Sequence, residues 1–157
     1  MNTIGYCAAD GGRLPFGTAS VDGALCFGVL QAVRESRRIV TELARVVRPG
    51  GEVWIDALNA SNLGARWEQI RRRVKGKPMH LRYESSSVLL DLMRSAGFEG
   101  LSRHWLVILP RRLYPLHPVA EATATGWLLR SIPGLGSLVS HSVVIRGVRG
   151  QTGSTAA

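Results

Sequence analysis

Apolar and polar residues fall in short blocks along this chain, cut by Gly and Pro, and the blocks switch between a helical and a strand-like period. From Glu35 to Arg48, residues Ile39, Val40, Leu43, Ala44 and Val47 recur at offsets of one, four, five and eight, which places them on one helical face. Arg45 and Arg48 sit in its last turn, where cations suit the helix dipole, and Pro49-Gly50-Gly51 stops it. A second helix follows the cap residues Asn59 to Asn62, with Leu63, Trp67, Ile70 and Val74 at helical spacing and Arg66, Arg71, Arg72 and Arg73 elsewhere on its surface. A third follows Ser85 to Ser87 through Val88, Leu89, Leu92, Met93 and Ala96, with Gly97 as its stop. A fourth is expected from about Pro118 to Ser131, inside an excursion between Pro110 and Gly136.

The remaining apolar runs are too short for helices and read as strands: Ile4 to Ala9, Gly23 to Phe27, Glu52 to Leu58, Leu101 to Leu109 and His141 to Val148. Strands alternating with helices predict an α/β sheet rather than a bundle or a sandwich. One domain over residues 1–149 is expected, followed by a flexible tail at 150–157.

Composition adds little to this picture. Apolar content of 45% and charged content of 20% suit a folded domain. The net charge of +9 comes from 18 Arg and only two Lys, Lys75 and Lys77. Arg71-Arg72-Arg73 with nearby Trp67 and Tyr83, and Arg111-Arg112, are compatible with a nucleic-acid partner, but a solvated helix face explains them more economically. Cys7 and Cys26 stand in apolar settings without metal-ligand or disulfide spacing, so no metal site is expected. Neither a signal peptide nor a spanning segment is indicated, which makes cytoplasmic residence the default.

Three blocks carry more specific information. Asp10-Gly11 leads to Leu14-Pro15-Phe16; Val21-Asp22 precedes the strand from Gly23 to Phe27; and Glu42-Leu43-Ala44-Arg45 runs through Val46, Val47 and Arg48 to Pro49-Gly50-Gly51. In this order and spacing, residues 9 to 55 resemble the class I S-adenosylmethionine-dependent methyltransferases of the ubiquinone-biosynthesis type. The resemblance implies a three-layer, Rossmann-like α/β fold with a final antiparallel strand, and S-adenosylmethionine as cofactor. It implies that Asp10 and Gly11 face the adenine, and that Cys26, Phe27 and Gly28 line the methionine and ribose side. Taken alone, Asp10-Gly11-Gly12 is also an ordinary turn, and Cys26 an ordinary buried thiol.

The sequence departs from the family at Val21, where an aromatic residue is usual, and at Leu30-Gln31-Ala32, where a histidine is often found. Met1 falls at the family's third strand, so the glycine-rich turn and the acidic residue that holds the ribose have no counterpart here. The family sheet runs three, two, one, four, five, seven, six. Without strands one and two the chain is expected to be poorly soluble, to pair with another chain through the bared edge of strand four, or to dock Ile4 to Ala9 into the vacancy.

Methyl transfer is an in-line displacement, so the protein must align a nucleophile and sometimes take its proton. His80, Tyr83, His104 and His117 are candidates for that proton transfer, none of them singled out. The acceptor is expected to be small or lipid-like, with Asn59 to Tyr83 and Pro110 to Gly136 shaping its pocket. The competing readings are a catalytically inactive remnant, a partner-dependent subunit and a basic nucleic-acid-binding module.

Overall fold

A computed structural model describes residues 4–78, 81–106, 127, 131–132 and 134–151. Among these residues eight elements follow in chain order: β1 (Val21–Cys26), α1 (Ser36–Val46), β2 (Val47–Leu58), α2 (Leu63–Val74), α3 (Ser86–Ser95), β3 (Phe98–Leu106), α4 (Leu135–Val139) and β4 (Ser142–Arg149). The strands form one sheet in the order β1-β2-β4-β3. β1 and β2 run parallel, and β4 lies between β2 and β3, antiparallel to both. This is the expected Rossmann-like α/β sheet with its last strand reversed.

The stripe predicted on α1 is buried: Ile39, Val40, Leu43 and Ala44 face the sheet. They meet Val53 and Ile55 of β2, Val143 and Ile145 of β4, and Leu89 and Met93 of α3 in one core. Each such side chain withdrawn from water contributes about 1.5–3 kcal/mol. Helices α1 and α3 touch each other as well as the sheet, so they cover the same face. The period of two puts Leu25, Trp54, His104 and Arg146 on the opposite face. There Leu25 is 73% exposed, Trp54 stacks on His104 with centroids 5.4 Å apart, and Arg146 pairs with Glu52.

Two sequence expectations change. Pro49-Gly50-Gly51 does not divide helix from strand, because the Val47 N–H closes α1 on the Leu43 carbonyl and β2 already begins at Val47. The three residues instead form an irregularity inside β2, where pairing slips between Val21↔Val47 and Gly23↔Glu52. Gly50 takes a φ of +79°, and a Cβ on Gly51 would lie 2.5 Å from the Asp22 carbonyl oxygen, so both glycines are required by the bulge.

Ile4 to Ala9 is not a strand. It lies outside the sheet with Ile4 76% and Tyr6 93% exposed, and it does not fill the edge of β1. An apolar run becomes a strand only where a neighbour takes up its backbone hydrogen bonds, and none does so here. β3 starts earlier than expected, at Phe98, and its predicted end at Leu109 lies outside the described residues. So does most of the helix expected from Pro118 to Ser131.

Candidate functional site

The turn at Asp10 is held locally and then pinned to α1. The Gly12 N–H donates to Asp10 Oδ1 at 2.9 Å, the Arg13 N–H to the Asp10 carbonyl at 2.8 Å, and Arg38 reaches Asp10 Oδ2 at 3.3 Å. Beyond the turn, the Leu14 N–H donates to Glu42 Oε1 at 2.8 Å. Arg45 grips the same carboxylate with two bonds, 2.9 and 2.6 Å, while its Nη2 also donates to the carbonyls of Leu14 and Phe16 at 3.3 and 2.9 Å. The guanidinium of Arg45 holds the Glu42 carboxyl below the usual carboxylate range, and the Leu14 N–H adds to this. Glu42 and Arg45 thus fasten the Asp10-to-Phe16 segment along α1, a role invisible when the same residues are read only for helix spacing.

Past the end of β1, Gly28 adopts a φ of +73° and its N–H donates to Asp56 Oδ1 at 2.7 Å. A Cβ on Gly11 would lie 3.0 Å from Ile39 Cδ1 and 3.8 Å from Val29 Cγ1, so the Asp10 turn comes up against the Phe27-to-Val29 loop. Both lie by the carboxyl end of β1, the place where doubly wound sheets take their ligands. Phe27 is 51% exposed there, while Cys26 is buried in the core. Burial pushes the Cys26 thiol up from the ordinary 9.0 to about 11, and the Asp56 carboxylate adds to the shift. Cys26 is a wall beneath the loop and not a nucleophile at neutral pH.

A cleft of about 240 Å³ opens beside the turn, lined by Asp10, Val33, Arg34, Glu35, Arg38 and Ile39. Of the five residues singled out in the sequence, Asp10 lines it directly and Gly11 packs on its Ile39; Phe27 and Gly28 lie in the adjoining loop. The loop from Gln31 to Ser36 is itself strapped down from outside. The Arg82 N–H donates to the Gln31 carbonyl at 2.9 Å, Arg82 also bonds the Arg34 carbonyl, and the buried Ser36 hydroxyl donates to the buried Glu84 carboxylate at 2.5 Å. Glu84 in turn pairs with Asn59 at the end of β2. Ser36 and Glu84 were not legible as a pair, since 48 residues separate them.

Of the proton-transfer candidates, His80 and His117 lie outside the described residues. His104 belongs to β3, three strand positions from β1, or about 14 Å at ~4.8 Å per strand, and its ring is engaged by Trp54 and Ser102. That removes it from a site beside β1. Tyr83 is half-buried between Arg82 and Glu84 in the strap.

Residues 2–55 match the family described as a methyltransferase domain. A curated relative, a probable S-adenosylmethionine-dependent methyltransferase of Mycolicibacterium smegmatis, is 31% identical over 87 residues, 55% of this chain and 32% of its own length. A solved S-adenosylmethionine-dependent methyltransferase of Thermotoga maritima, described as a possible histamine N-methyltransferase, superposes with a TM-score of 0.61 at 22% identity over 90% of this chain and 61% of its own. A Haemonchus contortus phosphoethanolamine N-methyltransferase, solved with phosphomonomethylethanolamine and S-adenosylhomocysteine, gives 0.57 at 13% identity over 90% of this chain and 36% of its own. The chain therefore spans about a third of the curated relative and under two thirds of these solved proteins. Residues 2–55 are thus similar to the methyltransferase domain family, and the fold is the one seen in solved S-adenosylmethionine-dependent methyltransferases.

Proposed function

We propose that this chain carries the adenine side of an S-adenosylmethionine site and serves methyl transfer to a small or lipid-like acceptor. The observation that carries the reading is the meeting of the Asp10-Gly11 turn with the Phe27-to-Val29 loop beside the carboxyl end of β1. The residues suit that end of the cofactor. The Asp10 carboxylate spends one oxygen on the Gly12 N–H and the other on Arg38, and each keeps a lone pair for the exocyclic amine of adenine. Gly11 has no side chain to hold a flat ring away from its backbone, and Ile39 and Val33 supply an apolar wall. Phe27 and Gly28 are assigned to the ribose and methionine side, with Cys26 beneath them.

The cleft of about 240 Å³ is smaller than the ~300–1,000 Å³ usual for whole small-molecule sites. It accommodates part of the cofactor. S-adenosylmethionine supplies an electrophilic methyl group; the chain's own residues bind and orient it, and acid–base work is assigned to no residue here. Residues 59–83 are assigned to the acceptor side of the site; most of the other segment expected there, 110–136, lies outside the described residues.

Calorimetric titration of the 157-residue chain with S-adenosylhomocysteine, and separately with adenosine, tests the reading. Both ligands are expected to bind, and Asp10→Ala is expected to weaken each about tenfold, the effect of one charge-assisted hydrogen bond. Absence of binding, or affinity indifferent to Asp10→Ala and Gly11→Val, would remove the site from this place.

A further inference from the structure

The apolar stripe of α2 is exposed and, among the described residues, takes no part in the hydrophobic core. Leu63, Trp67, Ile70 and Val74 are 59%, 69%, 57% and 82% exposed, although their spacing of four, three and four sets them in a single line. Ala65, the buried residue of this helix, is turned about 140–180° from the residues of that line at ~100° per residue. The stripe therefore points away from the body of the molecule. Its flanks are cationic, with Arg66 and Arg73 along one side and Arg71 along the other. Arg66, Gln69, Ile70, Arg73 and Lys77 bound an open groove of about 440 Å³.

The helix is fixed in this pose. Asn62 caps it by accepting the Ala65 N–H at 2.8 Å, and the Asn62 amide donates to the Val139 and Ser140 carbonyls at 2.8 and 3.1 Å. Asn59 adds bonds to the Ser137 and Ser140 carbonyls at 2.6 and 2.9 Å. Both asparagines are buried, so the N-terminus of α2 is tied to the end of α4 and rolling the helix would break the two bonds of the Asn62 amide.

Charge identifies the occupant. Residues 63–77 hold six cations, Arg66, Arg71, Arg72, Arg73, Lys75 and Lys77, against the single acid Glu68, a net +5 of the chain's +9. Glu68 is already shared by Arg71 and Arg72. A phosphate backbone would account for the cations but leaves three aliphatic side chains and an indole in water. An apolar line flanked by cations is what a helix lying in a lipid headgroup layer presents. At 12 residues α2 is about 18 Å long, and no helix among the described residues is long and apolar enough to cross a membrane.

We propose that α2 is an interfacial anchor for an anionic lipid bilayer. Leu63, Trp67, Ile70 and Val74 enter the boundary between headgroups and acyl chains, and Arg66, Arg71, Arg73, Lys75 and Lys77 bind lipid phosphates. The test of this docking reads vesicle binding alone and needs no cofactor. Flotation of the 157-residue chain with phosphatidylcholine vesicles, with and without phosphatidylserine, should recover it only with the anionic lipid. Added salt should release it, and Trp67 emission should shift to the blue on binding, a change absent in Trp67→Phe.

Ile70→Asp with Val74→Asp should abolish recovery, and Arg66→Gln with Arg73→Gln should weaken it about fivefold per cation. All four positions are exposed or only partly buried, so an unchanged circular dichroism spectrum confirms that the variants fold. The proposal is overturned by failure to bind anionic vesicles, by equal binding to phosphatidylcholine alone, or by recovery that survives the Asp substitutions. It is equally overturned by a homopolymer RNA that binds the chain in place of vesicles, or by self-association that the Asp substitutions abolish.

Discussion

Ser36 and Glu84 are buried together, and the protein depends on their satisfying each other. The Ser36 hydroxyl donates to one carboxylate oxygen at 2.5 Å and Arg82 reaches the other at 3.2 Å, so removing the carboxylate orphans a buried hydroxyl at the start of α1. Glu84→Ala is expected to cost about 1–3 kcal/mol, read from the urea midpoint, while Glu84→Gln, which keeps an acceptor, should cost less. A Glu84→Ala protein as stable as the parent would show that water replaces the carboxylate there. Cys26 makes a second residue-scale prediction. Its folded pKa of about 11 lies above the ordinary 9.0, so between these values the folded chain holds a proton that the unfolded chain has lost. Stability from this group is complete below pH 9 and declines as pH rises toward 11, by up to about 1.4 kcal/mol per unit. Denaturation curves of the parent minus those of Cys26→Ala should carry that slope, and iodoacetamide at pH 8 should label the exposed Cys7 and spare Cys26.

At the scale of elements, α1 is both core and bracket. One face buries Ile39, Val40 and Leu43; the rim beside it, through Glu42 and Arg45, carries the segment that presents Asp10. Glu42→Ala should leave α1 folded but release residues 13–16, seen as faster amide exchange at Leu14 and faster tryptic cleavage after Arg13. Because Arg45 lowers the Glu42 pKa, this clamp is present above the ordinary glutamate range and is lost as pH falls through the lowered value. The parent's exchange at Leu14 should therefore approach that of Glu42→Ala in acid. If the two proteins exchange alike at neutral pH, the bracket holds nothing. The sequence marked α1 and α2 by the same apolar period, yet α1 is buried and α2 faces outward. Periodicity reports which residues share a face, and only the tertiary structure decides what meets it. The same limit explains Ile4 to Ala9, apolar enough for a strand but lacking a neighbour, and the Ser36–Glu84 pair, which no local pattern joins. Asp10, Gly11 and the residues after β1 could be singled out through the resemblance at residues 9 to 55; the clamps on either side could not, because they join residues 28 to 48 positions apart.

For the whole molecule the decisive feature is the free side of β1. Among the described residues, the order β1-β2-β4-β3 leaves β1 hydrogen-bonded on one side only. Its six residues carry no Lys, Arg or Pro, and its one charge, Asp22, is paired with Arg48 at 2.7 Å. Natural sheets usually guard such an edge with charge, proline or a covering element, and an unguarded edge recruits another strand. The Ile4-to-Ala9 segment does not cover it, and we propose that in the 157-residue chain by itself this side of β1 pairs with a second copy. Light scattering of the 157-residue, 17.0 kDa chain should accordingly give a mass above the monomer that rises with concentration. Leu25→Lys places a cation on β1 at a position already 73% exposed, and should bring the mass down to that of the monomer without changing the circular dichroism spectrum. Ile70→Asp should leave the association intact, because α2 is a separate surface. Monomeric parent protein at all concentrations would refute edge pairing, and association lost with Ile70→Asp but kept with Leu25→Lys would move the contact from the sheet to the helix.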